Sequence, residues 1–440
     1  MPQKSSLWLM LLIGTLYFLA FIPANLQGAK SEAMLSRTSI DEPVTYPYVV
    51  RMLTPASDWR DLFSRWVLYG DYHYGYPFYF FSALSVLPVR LIYGARFTDH
   101  TALNLLLLRQ LISVLPMILA VAVLAYSSVG RGRLLVLGGL FVFVLSTRAV
   151  VRQNIQWWHP DALSVLAVAL TLYCLQRDNL RFGRYFYLSA AMCGLAAGIK
   201  LAGVWFFLTV AVYLWLGFKR RALMFGRTIA MGALFLVVMG LALVVSNPFL
   251  YNSGARQEMI AIQTYKTTEL DQGYSHDDPL YYSKGLRWWL PTLQNWYAHP
   301  FVLLFLLFSL LAGCVWGSRR LYNLLVLTWI IPYSVYLLYF VAVKPDHYWL
   351  PVMLPLFAAA ANILVLVAEG GNALVKRLGR YRSLMWVVVM AVLAAQMFWN
   401  VARPETGLYA LYSRSMRVET ELTTQSFDVR SRMAAADLDK

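Results

Sequence analysis

Apolar runs long enough to cross a bilayer recur along this chain, and they leave it one kind of fold. A run of ~20 apolar residues in lipid must satisfy its backbone polar groups internally, so it becomes a helix rather than an open sheet. Such runs lie near residues 7–23, 78–93, 105–126, 134–145, 162–175, 185–198, 201–218, 228–245, 300–315, 321–343, 350–367 and 384–401. Several are short for a full crossing, which leaves room for tilt or re-entry. With 59% hydrophobic and 14% charged residues, and a mean hydropathy of +0.55, the chain is not a water-soluble globule. The expectation is an all-α polytopic membrane protein with about 11–13 transmembrane helices and outer-side loops that carry amphipathic helices. The net charge of +16 needs no nucleic acid to explain it, because Lys and Arg gather in cytoplasmic loops. Cys174, Cys193 and Cys314 lie in or beside apolar runs without metal-ligand spacing, and read as small buried hydrophobes.

Charge sets the expected sidedness. Lys4 precedes the first run and places it with its start inside. A signal peptide cleaved near Ala24 or Ala29 is the alternative, but the many later runs favour a retained anchor. The loop 25–76 then lies outside. Within it, 46–53 and 58–69 read as amphipathic helices, the second begun by Ser57 or Asp58 as N-cap. Arg131/Arg133, Arg177/Arg181/Arg184, Lys219/Arg220/Arg221/Arg227, Arg319/Arg320 and Lys376/Arg377/Arg380/Arg382 mark the cytoplasmic side. The opposite side holds Trp157-Trp158-His159-Pro160-Asp161, the Lys200 turn, the loop 247–299, the turn 344–348 and the tail 401–440. Simple counting puts Arg131 on the wrong side. Either the run 78–93 does not fully cross, or 130–156 holds an extra short segment.

Ionisable groups at membrane depth are functional candidates by default. Here they collect at turns on the outer side: Asp41/Glu42, Asp71/His73, His159/Asp161, Lys200, His276/Asp277/Asp278 and Lys344/Asp346/His347. Asp41 and Glu42, in Thr38-Ser39-Ile40-Asp41-Glu42-Pro43, follow the first run in a chain poor in acids. A carboxylate there suits a general base; the alternative is a pair that only begins a surface helix. Tyr72, Tyr74, Tyr76, Trp157, Trp158, Tyr281, Tyr282 and Tyr348 accompany these groups, as sugar-stacking faces or as a membrane-interface belt. The sequence holds no His-Glu-x-x-His, phosphate-binding Gly-rich loop or Gly-x-Ser-x-Gly. His276-Asp277-Asp278 has the composition of a divalent-ion site and equally that of a solvated loop.

The order of these features resembles the polytopic GT-C glycosyltransferases that use polyprenyl-phosphate sugars, in particular the protein O-mannosyltransferase and aminoarabinose-transferase-like group. The resemblance covers about residues 1–370. It rests on Asp41-Glu42-Pro43 after the first span, Tyr72-His73-Tyr74-Gly75-Tyr76-Pro77 leading into the second, and His159-Pro160-Asp161. Gly194-Leu195-Ala196-Ala197-Gly198-Ile199-Lys200-Leu201-Ala202-Gly203, Asn247-Pro248-Phe249 and Lys344-Pro345-Asp346-His347-Tyr348-Trp349-Leu350-Pro351 complete it. The chain departs from the common pattern at Tyr76-Pro77, where many members have Pro-Pro, and at His347-Tyr348, where many have Arg-Tyr.

The resemblance implies a GT-C-like transmembrane catalytic domain over 1–400, with outer loops at 25–76 and 247–299, and a C-terminal tail at 401–440. It implies an inverting transfer from a polyprenyl-phosphate-linked sugar to a lipid, glycan or protein acceptor, amid membrane lipids and without nucleic acid. Asp41 would be the base, supported by Glu42, with Asp161 as a further catalytic acid. Lys200, Lys344, His347 and Tyr348 would receive the donor phosphate. Asp71, His73, Tyr76, His159 and His276 would bind substrate. A divalent metal ion is left open, with Asp41, Asp161 and His276 as its candidate ligands. The expected place is the bacterial inner membrane, with the active site facing outside. A transporter or flippase of lipid-linked sugars is the competing class, though no inverted repeat is apparent in the hydrophobic pattern. A non-catalytic assembly subunit is a third.

Overall fold

A computed structural model describes residues 2–30, 41–130, 133–273, 282–369, 381–404 and 406–416, and every regular element among them is helical. Helix α1 (Pro2–Gln27) is apolar almost throughout and spans the bundle. Two loop helices follow, α2 (Asp41–Leu53) and α3 (Trp59–Val67). Asp58 caps α3 by accepting hydrogen bonds from the Arg60 and Asp61 amides, both at 2.8 Å. Helix α2 starts at Asp41 rather than near residue 46, so both acids of the pair occupy its first turn, where the helix dipole favours negative charge.

The next stretch decides the sidedness. Helix α4 (Tyr76–Tyr93) leads through a 3-10 turn, Gly94–His100, to α5 (Thr101–Leu108), a π-helical stretch Arg109–Val114 and α6 (Leu115–Val129). Gly94, at φ 62°, ends α4 in the left-handed region that glycine enters freely. Near that end the Arg90 Nε donates to the Leu53 carbonyl of α2 at 3.0 Å. Further on, Arg109 Nη1 donates to the Asn25 carbonyl, in the last turn of α1, at 2.8 Å. Helix α4 therefore begins and ends on the side of the first loop, packed on α2 with Leu91 and Ile92 exposed. Descent takes place only beyond Arg109, through the π-helical stretch and α6, whose far end at Gly130 meets the Arg319 guanidinium. Of the two alternatives that the sequence leaves, this arrangement favours a run 78–93 that does not cross, and Arg133, Arg177, Arg181, Arg184 and Arg319 gather at one end of the bundle.

Helices α7 (Leu134–Leu145) and α8 (Arg148–Asn154) form a span bent by 66°. Then come α9 (Asp161–Asp178), α10 (Arg184–Lys200), α11 (Phe207–Lys219) and α12 (Phe225–Ser246). The antiparallel α9–α10 pair forms the centre, flanked by α6, α12 and α16. The polar helix α13 (Ser253–Gln272) and α14 (Leu286–Trp296) belong to the second outer loop. Last are α15 (Pro300–Trp316), α16 (Arg320–Phe340), α17 (Leu350–Ala358), α18 (Ala361–Glu369), α19 (Arg382–Ala402) and α20 (Leu408–Met416). Among the described residues six helices are long and apolar enough to cross a membrane, or up to eight with each bent pair taken as one span. That is fewer than the 11–13 that the apolar runs of the sequence suggest; the buried α9–α10 pair and the short apolar helix Trp386–Ala402 are not among them.

Candidate active site

Four segments meet at the end of the bundle that carries α2. The turn before α4, the loop before α9, the end of α10 and the turn before α17 each arrive where an apolar helix stops. Contact between two of them needs glycine. A Cβ on Gly75 would lie 1.5 Å from the Gly198 carbonyl oxygen, closer than any two non-bonded atoms can approach, and the Gly75 amide donates to the Ile199 carbonyl at 3.2 Å. Asn247 locks the junction by accepting from the Tyr76 amide at 2.9 Å.

Asp161 is the centre of the cluster. It is 2% exposed at the first turn of α9. Its Oδ1 accepts from Lys200 Nζ at 2.5 Å, and its Oδ2 lies 2.6 Å from His159 Nδ1 and 3.9 Å from His347 Nε2. A buried carboxylate needs such partners, because an isolated charge in a dry site is very costly. Lys200 also rides over the Tyr348 ring at 5.0 Å, a cation–π contact. His347 meets His159 and Trp157 edge-on, with ring centroids at 5.2 and 4.8 Å.

His159 connects this centre to the base candidate. Its Nε2 lies 2.9 Å from the Tyr74 hydroxyl and 4.0 Å from Asp41 Oδ2. Burial above all holds the His159 imidazole below its ordinary pKa, against the pull of Asp161, and burial pushes the Tyr74 hydroxyl well above its own. The Tyr74 hydroxyl and one ring nitrogen of His159 thus pair at hydrogen-bond distance, while the other ring nitrogen faces Asp161. The Asp41 side chain is 42% exposed, at the rim of the cluster. Its neighbour Glu42 is fully buried instead. The Glu42 oxygens accept from Arg109 Nε and Nη2 at 2.9 and 2.6 Å, and from the Trp158 amide at 2.7 Å. Glu42 thereby pins the loop before α9 to the start of α2.

The other sequence candidates divide. Asp71 is buried and accepts from the His73 amide, His73 Nδ1 and the Tyr79 hydroxyl. It thereby braces the turn that carries Tyr74 and Tyr76, while the His73 side chain stays half exposed. Lys344 departs from expectation. Its Nζ donates to the Ser283 carbonyl at 2.7 Å and sits over the Trp289 ring at 5.3 Å, which ties it to the second outer loop rather than to Asp161. Asp346 next to it takes Arg152 at 2.9 Å. His276, with Asp277 and Asp278, lies outside the described residues.

Sequence reasoning passed over Lys266. From α13 its ammonium lies over the Tyr74 ring at 4.9 Å, and it feels the charges of Lys200, Asp161, Asp41 and Asp71. Burial lowers its pKa to about 8, with Lys200 adding to the effect. The one signal for it was a lone lysine mid-way along a polar helix in the outer loop.

The ligand atoms of His159, Asp161 and His347 lie within 4.8 Å of one another, so these residues have the chemistry and spacing to hold a divalent cation. The Lys200 ammonium on Asp161 already supplies one positive charge there. The metal ligands suggested by the sequence share only Asp161 with this set.

No family model and no curated protein matches the chain. Among solved structures it is similar to ArnT from Cupriavidus metallidurans bound to undecaprenyl phosphate, with TM-score 0.48 and 14% identity over 93% of this chain and 75% of that one. It is also similar to the Archaeoglobus fulgidus oligosaccharyltransferase in the apo form, with TM-score 0.49 and 10% identity over 94% of this chain and 56% of that one. Both are GT-C glycosyltransferases, the class that the ordered motifs of this sequence resemble.

Proposed function

We propose that this integral membrane protein is a glycosyltransferase that moves a sugar from a polyprenyl-phosphate donor to a hydroxyl acceptor at the outer face, with inversion. The observation that carries this reading is the half-exposed Asp41 carboxylate at the rim of a buried cluster that contains Asp161, Lys200, His159 and His347. An oxygen nucleophile needs a proton acceptor at an accessible edge, and a phosphate leaving group needs fixed positive charge behind it.

In the step, the acceptor oxygen attacks the anomeric carbon from the face opposite the phosphate. The carbon–oxygen bond to phosphate breaks, its electron pair passes to the phosphate oxygen, and the hydroxyl proton passes to Asp41. The products are the glycoside and the polyprenyl phosphate. Lys200 and Lys266 lie where they would balance the leaving charge. His347 and Tyr348 line the same edge. Beside the site an apolar cavity of about 400 Å³ runs between α4, the π-helical stretch and the first turns of α9, lined by Phe81, Leu111, Leu163 and Ile199 among others. It suits a prenyl tail that arrives through the bilayer.

Asp41→Asn keeps size and removes the base. Transfer of labelled sugar from a lipid donor by reconstituted protein should fall by on the order of a hundredfold to ten-thousandfold. Near-normal turnover with the fold intact would remove Asp41 from the mechanism and turn attention to Asp161 or Asp71.

A further inference from the structure

The opposite end of the α9–α10 pair holds a cavity of about 1070 Å³ with a different character. Helix α9 has 18 residues, so this cavity lies about 27 Å from Asp161 at 1.5 Å per residue. That separation approaches the thickness of a hydrocarbon core, ~30 Å. Arg133, Arg177, Arg181, Arg184 and Arg319 line the cavity, and among the described residues Asp178 is the one carboxylate in the lining.

Asp178 does not neutralise them. Its Oδ1 accepts from the Gly183 amide at 2.8 Å, and its Oδ2 accepts from the Phe182 amide at 2.8 Å and the Tyr213 hydroxyl at 2.5 Å. The acid instead shapes the short loop between α9 and α10. Asn179, Leu180 and Phe182 in that loop all hold positive φ, a conformation that non-glycine residues rarely adopt. The loop carries Arg181, and Arg177 and Arg184 both lie over the Tyr185 ring, at 5.8 and 4.9 Å. Ser127 also lines the cavity, is 2% exposed, and its hydroxyl has no hydrogen-bond partner among the described residues.

A bias of arginine toward cytoplasmic loops accounts for the number of these residues. It does not account for five of them, drawn from three separate loops, around one concave space. Guanidinium groups match phosphate oxygens in geometry and charge, and basic pockets between membrane helices receive anionic headgroups. The geometry points to a phosphate-binding site at this end of the bundle, sized for an anionic phospholipid headgroup rather than for a lone inorganic ion.

The test compares wild type with the double variant Arg181→Gln/Arg319→Gln and with Arg181→Lys/Arg319→Lys. The probes are fluorescent phosphatidylglycerol, fluorescent phosphatidylcholine and free pyrophosphate, each titrated against purified full-length protein in detergent. Monodisperse elution reports the fold. Phosphatidylglycerol should bind more tightly than phosphatidylcholine, and the Gln pair should weaken it at least about tenfold, as loss of charge-assisted hydrogen bonds implies. The Lys pair should retain most of the binding. Binding of pyrophosphate but not phosphatidylglycerol, with the same loss in the Gln pair, also supports the site and assigns it to a free phosphate compound. Should the Gln pair not fold, competition between pyrophosphate and phosphatidylglycerol on wild type gives the same reading. Equal binding of the two lipids, or full binding by a folded Gln pair, overturns the site.

Discussion

The two ends of the α9–α10 pair treat positive charge in opposite ways. At the Asp161 end, cations are held by carboxylates withdrawn from water. Lys200 and two histidines surround Asp161, Arg152 takes Asp346, and Arg109 takes Glu42. At the Asp178 end, five arginines line a cavity whose single carboxylate among the described residues is committed to backbone amides and a tyrosine. The first arrangement is closed on itself and rigid, which suits chemistry that needs groups fixed before charge develops. The second gathers guanidinium groups around a concave space, which on the inference above suits a partner that brings its own charge.

The largest expected break in this comparison is Arg109→Met. It leaves Glu42, fully buried, without its bidentate partner, and loss of one member of a buried pair costs about 3–5 kcal/mol. The thermal midpoint of the purified protein should fall by several degrees or the protein should fail to accumulate. Arg181→Gln at the other end should stay within about 0.5 kcal/mol of wild type when no anionic lipid is present. Equal losses from both variants would erase the distinction.

A smaller global effect with a sharp local one is expected for Gly75→Ala. The added carbon meets the Gly198 carbonyl, so the turn that carries Tyr74 must move. Misplacement of about 1 Å costs on the order of a hundredfold in transfer. Gly139→Ala, where nothing lies within 4 Å of the new carbon, is the matched control and should leave transfer unchanged.

The smallest expected effect is the pH response. Burial lowers Lys266 and Lys344 to about 8 from the ordinary 10.5. Above pH 8 the native lysine is neutral, so the apparent KM for the phosphate donor should rise severalfold between pH 7 and 9. Stability moves the other way. Between about 8 and 10.5 the unfolded chain holds protons that the native chain has lost, so this contribution to stability grows as pH rises through that window. Lys266→Met should flatten most of the KM profile. An unaltered climb in that variant would move the effect to other groups.

Much of the Asp161 end was legible because apolar spans return their polar turns to the same face. Asp41, His159, Asp161, Lys200, His347 and Tyr348 are scarce polar or aromatic groups at span ends, and the fold brings all six together. The full burial of Glu42 was not legible, since it depends on Arg109, 67 positions beyond Glu42. The direction of Lys344 was not legible, because a cation beside His347 in sequence can still turn toward another loop, here to Ser283. Lys266 escaped notice because α13 is polar along its whole length and marks no residue as special. The run 78–93 has the composition of a spanning helix whether or not it spans. What decides is Arg90 on Leu53 and Arg109 on Asn25, contacts that no hydropathy window contains.

That decision has a consequence of parity. A helix that leaves from and returns to one face adds nothing to the alternation of the chain, so removal of α4 with its 3-10 turn would leave every later loop on its present side. A longer α4 that did cross would invert the whole remainder. The arginine cavity and the Lys200 turn would then exchange sides. Reporter fusions on either side of residues 94–100 should give the same sidedness, whereas fusions on either side of α6 should give opposite ones.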